Sequence, residues 1–168
     1  AALASAYSEE GELTAARNEA NKAYELIAHR DGEASPWLAE VLFTQAEIEL
    51  SMGHDSAAES KVQRGLSILR TTERPIAEQA SGLLTIAALQ MKRNELDVAQ
   101  STLEFALTGL DERNRMTRST MIDALVGLWF IFDLRKQDAE RDQIEKRLEA
   151  LGVPSSGLKE QVARLNFA

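Results

Sequence analysis

The chain has 168 residues, a formal net charge of −8 and no cysteine. General binding to nucleic acid or to an anionic membrane needs clustered positive charge, so the acidic balance argues against both for this segment. Without cysteine the chain has neither disulfides nor thiolate metal ligands. Apolar residues make up 44% of the sequence but aromatic residues only 5%, and this composition favours closely packed helices over a sheet.

The length suits a single domain over residues 1–168, and the lack of cysteine fits a reducing compartment, so we expect a cytoplasmic protein. The sequence begins without methionine and without a basic segment followed by an apolar one, the pattern of a signal peptide. It also enters its first predicted helix part-way through. We therefore expect a fragment of a larger protein.

The first predicted helix covers residues 1–10 and ends at Gly11, because glycine readily adopts the left-handed backbone that terminates helices. A second helix then runs to about His29, with small and apolar residues at helical spacing. Ser35 and Pro36 start the next helix, which Gly53 ends near Met52. A further helix follows and carries Ala58, Val62, Leu66 and Leu69.

The third pair of helices follows the loop at Thr71–Pro75. Its first member covers about Ile76 to Lys92, and Asn94 takes the place of the terminating glycine. Its second member runs to about Leu110. Beyond it the pattern predicts an apolar helix over Met116–Arg135 and an amphipathic helix over Asp138–Leu151, followed by a short capping helix. The longest apolar run, Ala124–Phe132, is too short to span a membrane.

Small residues recur along the chain at a fixed period. Gly11, Gly53 and Asn94 are 42 and 41 residues apart. The same spacing relates three more sets, which are Ala4, Ala46 and Ala87; Ala16, Ala58 and Ala99; and Ala23, Gly65 and Ala106. Such a period predicts stacked helical hairpins, since one hairpin cannot bury its apolar face alone. The expected repeats are residues 1–34, 35–73, 74–112 and 113–152, with a capping helix over 155–167.

These positions resemble the tetratricopeptide repeat family. Its motif places a small residue within the first helix of each hairpin, glycine at the turn and small residues at two places in the second helix. In the second repeat the matching residues are Ala46, Gly53, Ala58, Val62 and Gly65. The resemblance implies an all-α fold, a right-handed superhelix of about 3.5 to 4 hairpins with a C-terminal cap. The period of 41–42 residues is longer than the usual length of about 34, and the extra residues amount to about two helical turns.

The resemblance also implies a concave groove lined by the first helix of each hairpin. The groove residues carried onto this sequence are Glu40, Phe43, Glu47, Leu50, Ser81, Leu84, Ala88, Met91 and, in the less regular fourth repeat, Ile122, Leu125, Trp129 and Phe132. Such a groove would be apolar with an acidic rim, which suits an amphipathic helix or an extended apolar peptide. Members that bind chaperones hold a terminal carboxylate with lysine and asparagine here, and this chain has neither at these positions.

Two other interpretations of the aromatic residues stay open. Leu84, Trp129 and Phe132 would instead pack against neighbouring helices, since the surrounding segment is apolar on all sides. If Trp129 and Phe132 are exposed, they would form the contact of a homodimer.

The remaining motifs carry weaker signals. Arg113, Arg115 and Arg118 could hold a phosphate or an acidic partner, although such a run is more often a solvated loop. His29 and His54 lack a companion at metal-ligand spacing and suit helix C-termini. The run Ser156–Lys159 matches the serine–x–x–lysine pattern of penicillin-binding enzymes, but no partner motif accompanies it. We therefore expect no enzyme, no cofactor and no metal site.

The leading hypothesis is a non-catalytic scaffold for protein–protein interaction that binds a peptide or partner protein in the concave groove. The alternative is a regulatory sensor segment of a larger bacterial transcription activator, in which the helices bind a small inducer and gate a separate module. A phosphate-binding loop or a helix-turn-helix in the flanking sequence would favour the sensor.

Overall fold

The structure is a computed structural model that describes the backbone of residues 2–167 and the side chains of residues 11–115 and 117–167. Over this part of the chain the fold is all-α with no strand, as predicted. The helices are α1 (Ala2–Asp31), α2 (Pro36–Ser51), α3 (Asp55–Thr71), α4 (Ile76–Lys92), α5 (Leu96–Leu107), α6 (Arg115–Leu134), α7 (Asp138–Ala150) and α8 (Leu158–Arg164), with a 3-10 turn at Ser155–Gly157.

The predicted break at Gly11 is wrong, because α1 is one helix of 30 residues. A glycine inside a helix costs only about 1 kcal/mol, and glutamate and alanine, both good helix formers, surround this one. A single helix therefore replaces the hairpin that was predicted for the first repeat. Ala16, expected at a close helix contact, is exposed on this helix. The side chains predicted for the first helix, including Ala4, lie outside the described residues.

The contacts divide the chain into two compact units, Ala1–Arg74 and Pro75–Ala168. This division lies next to the predicted boundary between the second and third repeats. In the first unit α2 and α3 form a helical hairpin, and α1 packs against α2. Leu38, Leu42 and Ile68 form a core cluster, against which Tyr24, Ile27 and Ala28 of α1 pack.

The second unit contains two hairpins, α4–α5 and α6–α7. Helix α6 contacts both α4 and α5, and α8 packs against α6. The backbone of two glycines lies so close to neighbouring helices that a side chain would not fit there. A Cβ on Gly109 would lie 2.7 Å from Ile76 Cβ at the start of α4, and one on Gly127 would lie 2.8 Å from Leu103 Cδ1 of α5.

Left-handed residues end the first helix of all three hairpins. Gly53, Asn94 and Lys136 have φ angles of 78°, 61° and 57°, and they are 41 and 42 residues apart. After each of them the next N–H bonds back to a carbonyl five residues earlier, as in His54 to Glu49 at 2.8 Å, which is the Schellman motif. The turns predicted at Gly53 and Asn94 are confirmed. The third turn lies at the predicted break between Arg135 and Asp138, but a left-handed residue was not predicted there.

The small residues predicted at close helix contacts are buried in the second and third repeats. Ala58, Ala99 and Ala106 have no exposed surface, and Gly65 is also buried. Among the helices described in residues 2–167, none combines the length and apolar character needed to cross a membrane.

Candidate functional site

The structure separates the predicted groove residues of α2 into two sets. Glu40 and Glu47 are exposed, whereas Phe43 and Leu50 are buried. The ring of Phe43 packs against α3, where a Cβ on Gly65 would lie 2.6 Å from Phe43 Cε1. Phe43 is therefore part of the hairpin interior and is not accessible to a partner.

In the second unit most of the predicted groove residues are also covered. Ser81, Leu84 and Ile122 are half-buried. The other five are buried, and they are Ala88, Met91, Leu125, Trp129 and Phe132. The homodimer hypothesis required Trp129 and Phe132 to be exposed, and this condition is not met. The indole of Trp129 instead donates a hydrogen bond to Glu145 of α7 at 3.4 Å.

One complete face of α2 is exposed. We call it the α2 face, and its residues are Trp37, Glu40, Thr44, Glu47 and Ser51. They follow one another at spacings of three and four, so they form a single stripe along the helix. The Thr44 and Ser51 hydroxyls donate to carbonyls of their own helix at 3.1 and 2.9 Å. The indole of Trp37 and the carboxylate of Glu40 are therefore presented outward by this face, and Glu47 is exposed on the same stripe.

The sequence interpretation missed three members of the α2 face, Trp37, Thr44 and Ser51. The sequence contained the necessary signal, because Trp37, Thr44 and Ser51 alternate with Glu40 and Glu47 at intervals of three and four residues. Trp37 is the most distinctive member, since 60% of its surface is exposed although tryptophan is usually well covered in folded proteins. Val41 and Ile48 lie beside the stripe and are half-buried.

A buried carboxylate fixes α2 to its neighbours. Glu49 is only 2% exposed, and its Oε1 atom lies 2.9 Å from Arg17 Nε of α1. Its Oε2 atom lies 2.8 Å from His54 Nδ1, just after the turn at Gly53. Buried carboxylates are retained when they are paired in this way. The side chain of His54, predicted to cap a helix C-terminus, forms its hydrogen bond with the carboxylate of Glu49.

The first unit also contains a polar cavity of about 350 Å³ between α1, α2 and α3. Three residues of each outer helix and two of α2 line it. They are Asn21, Tyr24 and Glu25 of α1; Leu42 and Gln45 of α2; and Ser60, Lys61 and Arg64 of α3. None of them belongs to the predicted groove. The sequence offers no local signal for this site, because only the packing of three helices brings its residues together.

One wall of the polar cavity is an aromatic and ionic cluster. The Tyr24 hydroxyl donates to Glu33 Oε2 at 2.6 Å, and Arg64 forms an ion pair with the same carboxylate. The guanidinium of Arg64 also lies over the Tyr24 ring, 5.3 Å from its centroid, which is a cation–π contact. Burial and the hydrogen bond to Glu33 raise the pKa of Tyr24, so its hydroxyl stays protonated and donating.

Another part of the cavity lining is a series of hydrogen bonds centred on the side-chain amide of Gln45. Gln45 is 5% exposed, and its Nε2 atom donates to Asn21 Oδ1 at 2.9 Å. Its Oε1 atom accepts a hydrogen bond from Lys61 Nζ at 3.1 Å. The buried amide of Gln45 therefore fixes the position of the Lys61 ammonium at the cavity.

The arginine run contributes little to a site of its own. Arg113 and Arg115 are exposed, and Arg118 donates to the carbonyl of Leu151 at 3.1 Å. The side chain of Arg118 therefore caps the C-terminus of α7. The apolar side chains of Val98 and Phe105 are exposed on α5. The exposed carboxylates of Asp97 and Glu104 lie next to them, and Asp97 is paired with Arg135.

No family model and no curated protein matches this chain. Within the described residues, histidine and carboxylate side chains form no group of three or more that could hold a metal ion. The candidate sites are thus the α2 face and the polar cavity, and both lie in the first unit.

Proposed function

We propose that the chain is a non-catalytic helical repeat scaffold that binds a partner protein on the α2 face. The observation that carries this proposal is the exposed stripe of α2, in which an accessible tryptophan stands in line with two carboxylates. Tryptophan is among the residues that contribute most to binding energy at interfaces. We also propose membership of the tetratricopeptide class and its right-handed superhelix, supported by the left-handed turns at a period of 41 and 42 residues.

The chemistry of the α2 face selects an amphipathic partner with a basic edge. An apolar side chain of the partner would cover Trp37, and lysine or arginine side chains would reach Glu40 and Glu47. The net charge of −8 would speed the encounter with such a partner, since complementary charge raises association rates. The partner is accordingly expected to be a basic amphipathic helix or peptide.

The anchoring of α2 supports this role. The ion pair of Glu49 with Arg17 and its hydrogen bond with His54 hold the helix to α1 and to the start of α3. A binding surface on a rigid element loses little conformational entropy when the partner docks. The α2 face is thus well ordered before binding.

The test uses a synthetic amphipathic helical peptide of leucine and lysine, titrated against the chain and followed by fluorescence anisotropy. Trp37→Ala should weaken binding at least about tenfold. The double variant Glu40→Gln/Glu47→Gln should weaken it and also reduce its dependence on salt. A matched peptide of leucine and glutamate should not bind.

The matched control is the double variant Glu12→Gln/Glu19→Gln on α1. Both residues are exposed, and they have the same spacing of seven and the same change in charge. The proposal fails if the α1 control weakens binding as much as the α2 variant, because the peptide would then respond only to net charge. It also fails if Trp37→Ala leaves the affinity unchanged.

The polar cavity favours a second candidate function, a regulatory sensor segment that binds a small molecule. This is the alternative drawn from the sequence, and a polar cavity of about 350 Å³ that is open to solvent is the feature that supports it. The two functions differ in what the flanking sequence should contain. A phosphate-binding loop or a helix-turn-helix next to this segment would favour the sensor.

A further inference from the structure

Two opposite charges line the polar cavity without a charged partner. Among the side chains of residues 11–115 and 117–167, neither Lys61 nor Glu25 forms an ion pair. Lys61 is half-buried and uses one of its three N–H donors on Gln45 Oε1 at 3.1 Å. Its remaining donors are available to an acceptor inside the cavity.

The other charged group of the cavity is already compensated. Arg64 is paired with Glu33 and lies over the ring of Tyr24. The cavity therefore presents one uncompensated positive charge on α3 and one uncompensated negative charge on α1. Since no ion pair joins them, Lys61 and Glu25 are separated by more than the contact distance of a salt bridge.

We propose that the polar cavity binds a small zwitterion of the amino-acid type. The carboxylate of the ligand accepts hydrogen bonds from Lys61, and its ammonium group donates to Glu25. The amides of Asn21 and Gln45 add neutral polar contacts, while Leu42 supplies an apolar wall for the ligand side chain. The volume of about 350 Å³ lies at the lower end of the range of small-molecule pockets.

The charge balance argues against other ligand classes. A phosphate monoester carries about −1.5 to −2 charges at neutral pH, so its second charge would face Glu25 without compensation. A simple amine would offer no acceptor to the two remaining donors of Lys61, and a simple carboxylic acid would make no ion pair with Glu25. A molecule with one charge of each sign satisfies both groups at once.

This inference rests on the second candidate function, the binding of a small molecule in the polar cavity. It is independent of the scaffold function, because its residues are distinct from those of the α2 face. A peptide could bind at Trp37 whether or not a small molecule occupies the cavity. Failure of either proposal therefore leaves the other standing.

The experiment screens the free amino acids against the chain by thermal shift and then measures the tightest binder by isothermal titration calorimetry. That amino acid is compared with its analogues lacking the ammonium or the carboxylate group. For phenylalanine these analogues are phenylpropionate and phenethylamine. Each analogue should bind at least about tenfold more weakly, since each loses one charge-assisted hydrogen bond.

Two variants test the assignment of the charges. Lys61→Gln and Glu25→Gln should each weaken binding of the amino acid about tenfold or more. Their matched controls are Lys22→Gln and Glu19→Gln, since Lys22 and Glu19 pair with each other on α1 and do not line the cavity. The controls should bind as the wild type does. Because Glu25 is exposed, its variant is expected to fold even if the lysine variant does not.

Three results would overturn the proposal. The first is that no free amino acid binds at about 10 mM, a concentration that detects even weak sites. The second is that the analogue without the ammonium group binds as tightly as the amino acid. The third is that Glu25→Gln and Glu19→Gln have equal effects.

Discussion

The ring of Phe43 lies against the backbone of Gly65, so that a Cβ atom at residue 65 would be 2.6 Å from Phe43 Cε1 and 3.3 Å from the carbonyl oxygen of Ala39. Real Cβ atoms essentially never approach another atom as closely as 2.6 Å. The contact explains why a glycine persists inside α3 despite its helix propensity cost of about 1 kcal/mol. It also explains why Phe43, expected in an open groove, is buried.

Substitution of Gly65 should therefore destabilise the first unit. We expect Gly65→Leu to lower the free energy of unfolding by about 1–3 kcal/mol through overpacking, and Gly65→Ala to lower it by less. The matched control is Gly11→Ala, because Gly11 is also helical but has no atom within 4 Å of a Cβ. That variant should gain up to about 1 kcal/mol. Urea denaturation measures all three, and a stabilised Gly65→Ala would contradict the packing.

Lys136 is expected to store backbone strain at the turn between α6 and α7. Its φ angle of 57° is left-handed, which costs a residue with a Cβ roughly 1–2 kcal/mol. Lys136→Gly should therefore raise the free energy of unfolding by about 1 kcal/mol. The reverse change at the equivalent turn, Gly53→Lys, should lower it by a similar amount. Equal melting temperatures for wild type and Lys136→Gly would show that this turn is not strained.

The stability of the second unit should depend on the protonation of Asp123. Burial raises the pKa of this carboxyl above its ordinary value of 3.8, and the Arg164 ion pair at 2.9 Å only partly opposes the shift. The folded state thus binds this proton more tightly than the unfolded state, and the ionised carboxylate costs stability as pH rises through the raised pKa. Asp123→Asn should be more stable than wild type at neutral pH.

The advantage of Asp123→Asn should shrink as the pH falls through the raised pKa, and it should vanish below the ordinary value. Arg164→Gln removes the charge that lowers the pKa of Asp123. In this variant the pKa should rise further, so the loss of stability with increasing pH should continue to a higher pH than in the wild type. Thermal melts of the three proteins between about pH 7 and about pH 3 measure both effects. If the stability of Asp123→Asn relative to the wild type increased at low pH, the result would contradict a raised pKa of Asp123.

Turn positions were predictable where the residue type itself favours a left-handed backbone. Gly53 and Asn94 are such residues, and both turns were located from their spacing. Gly11 shows the limit of this reasoning, because glycine permits a turn but does not impose one on a sequence of helix formers. Lys136 shows the opposite case, since tertiary packing places a left-handed residue where the side chain gives no hint.

The candidate sites were less predictable than the turns. Phe43 and Leu50 were expected in a groove because the family pattern places them there, but the small residues of α3 leave room for the hairpin to bury them. The α2 face could have been found from its spacing alone. The polar cavity could not, because Asn21, Gln45 and Lys61 come from three helices and meet only through their packing.

The most direct test of the scaffold proposal uses the two tryptophans as reporters of one NMR titration with the leucine–lysine peptide. Trp37 is 60% exposed on the α2 face, whereas Trp129 is 7% exposed in the second unit. We predict that the indole N–H resonance of Trp37 and the backbone amides of the α2 face shift on binding, while the Trp129 indole stays in place. Shifts centred on Trp129, with Trp37 unchanged, would contradict the proposal that this protein binds its partner through α2.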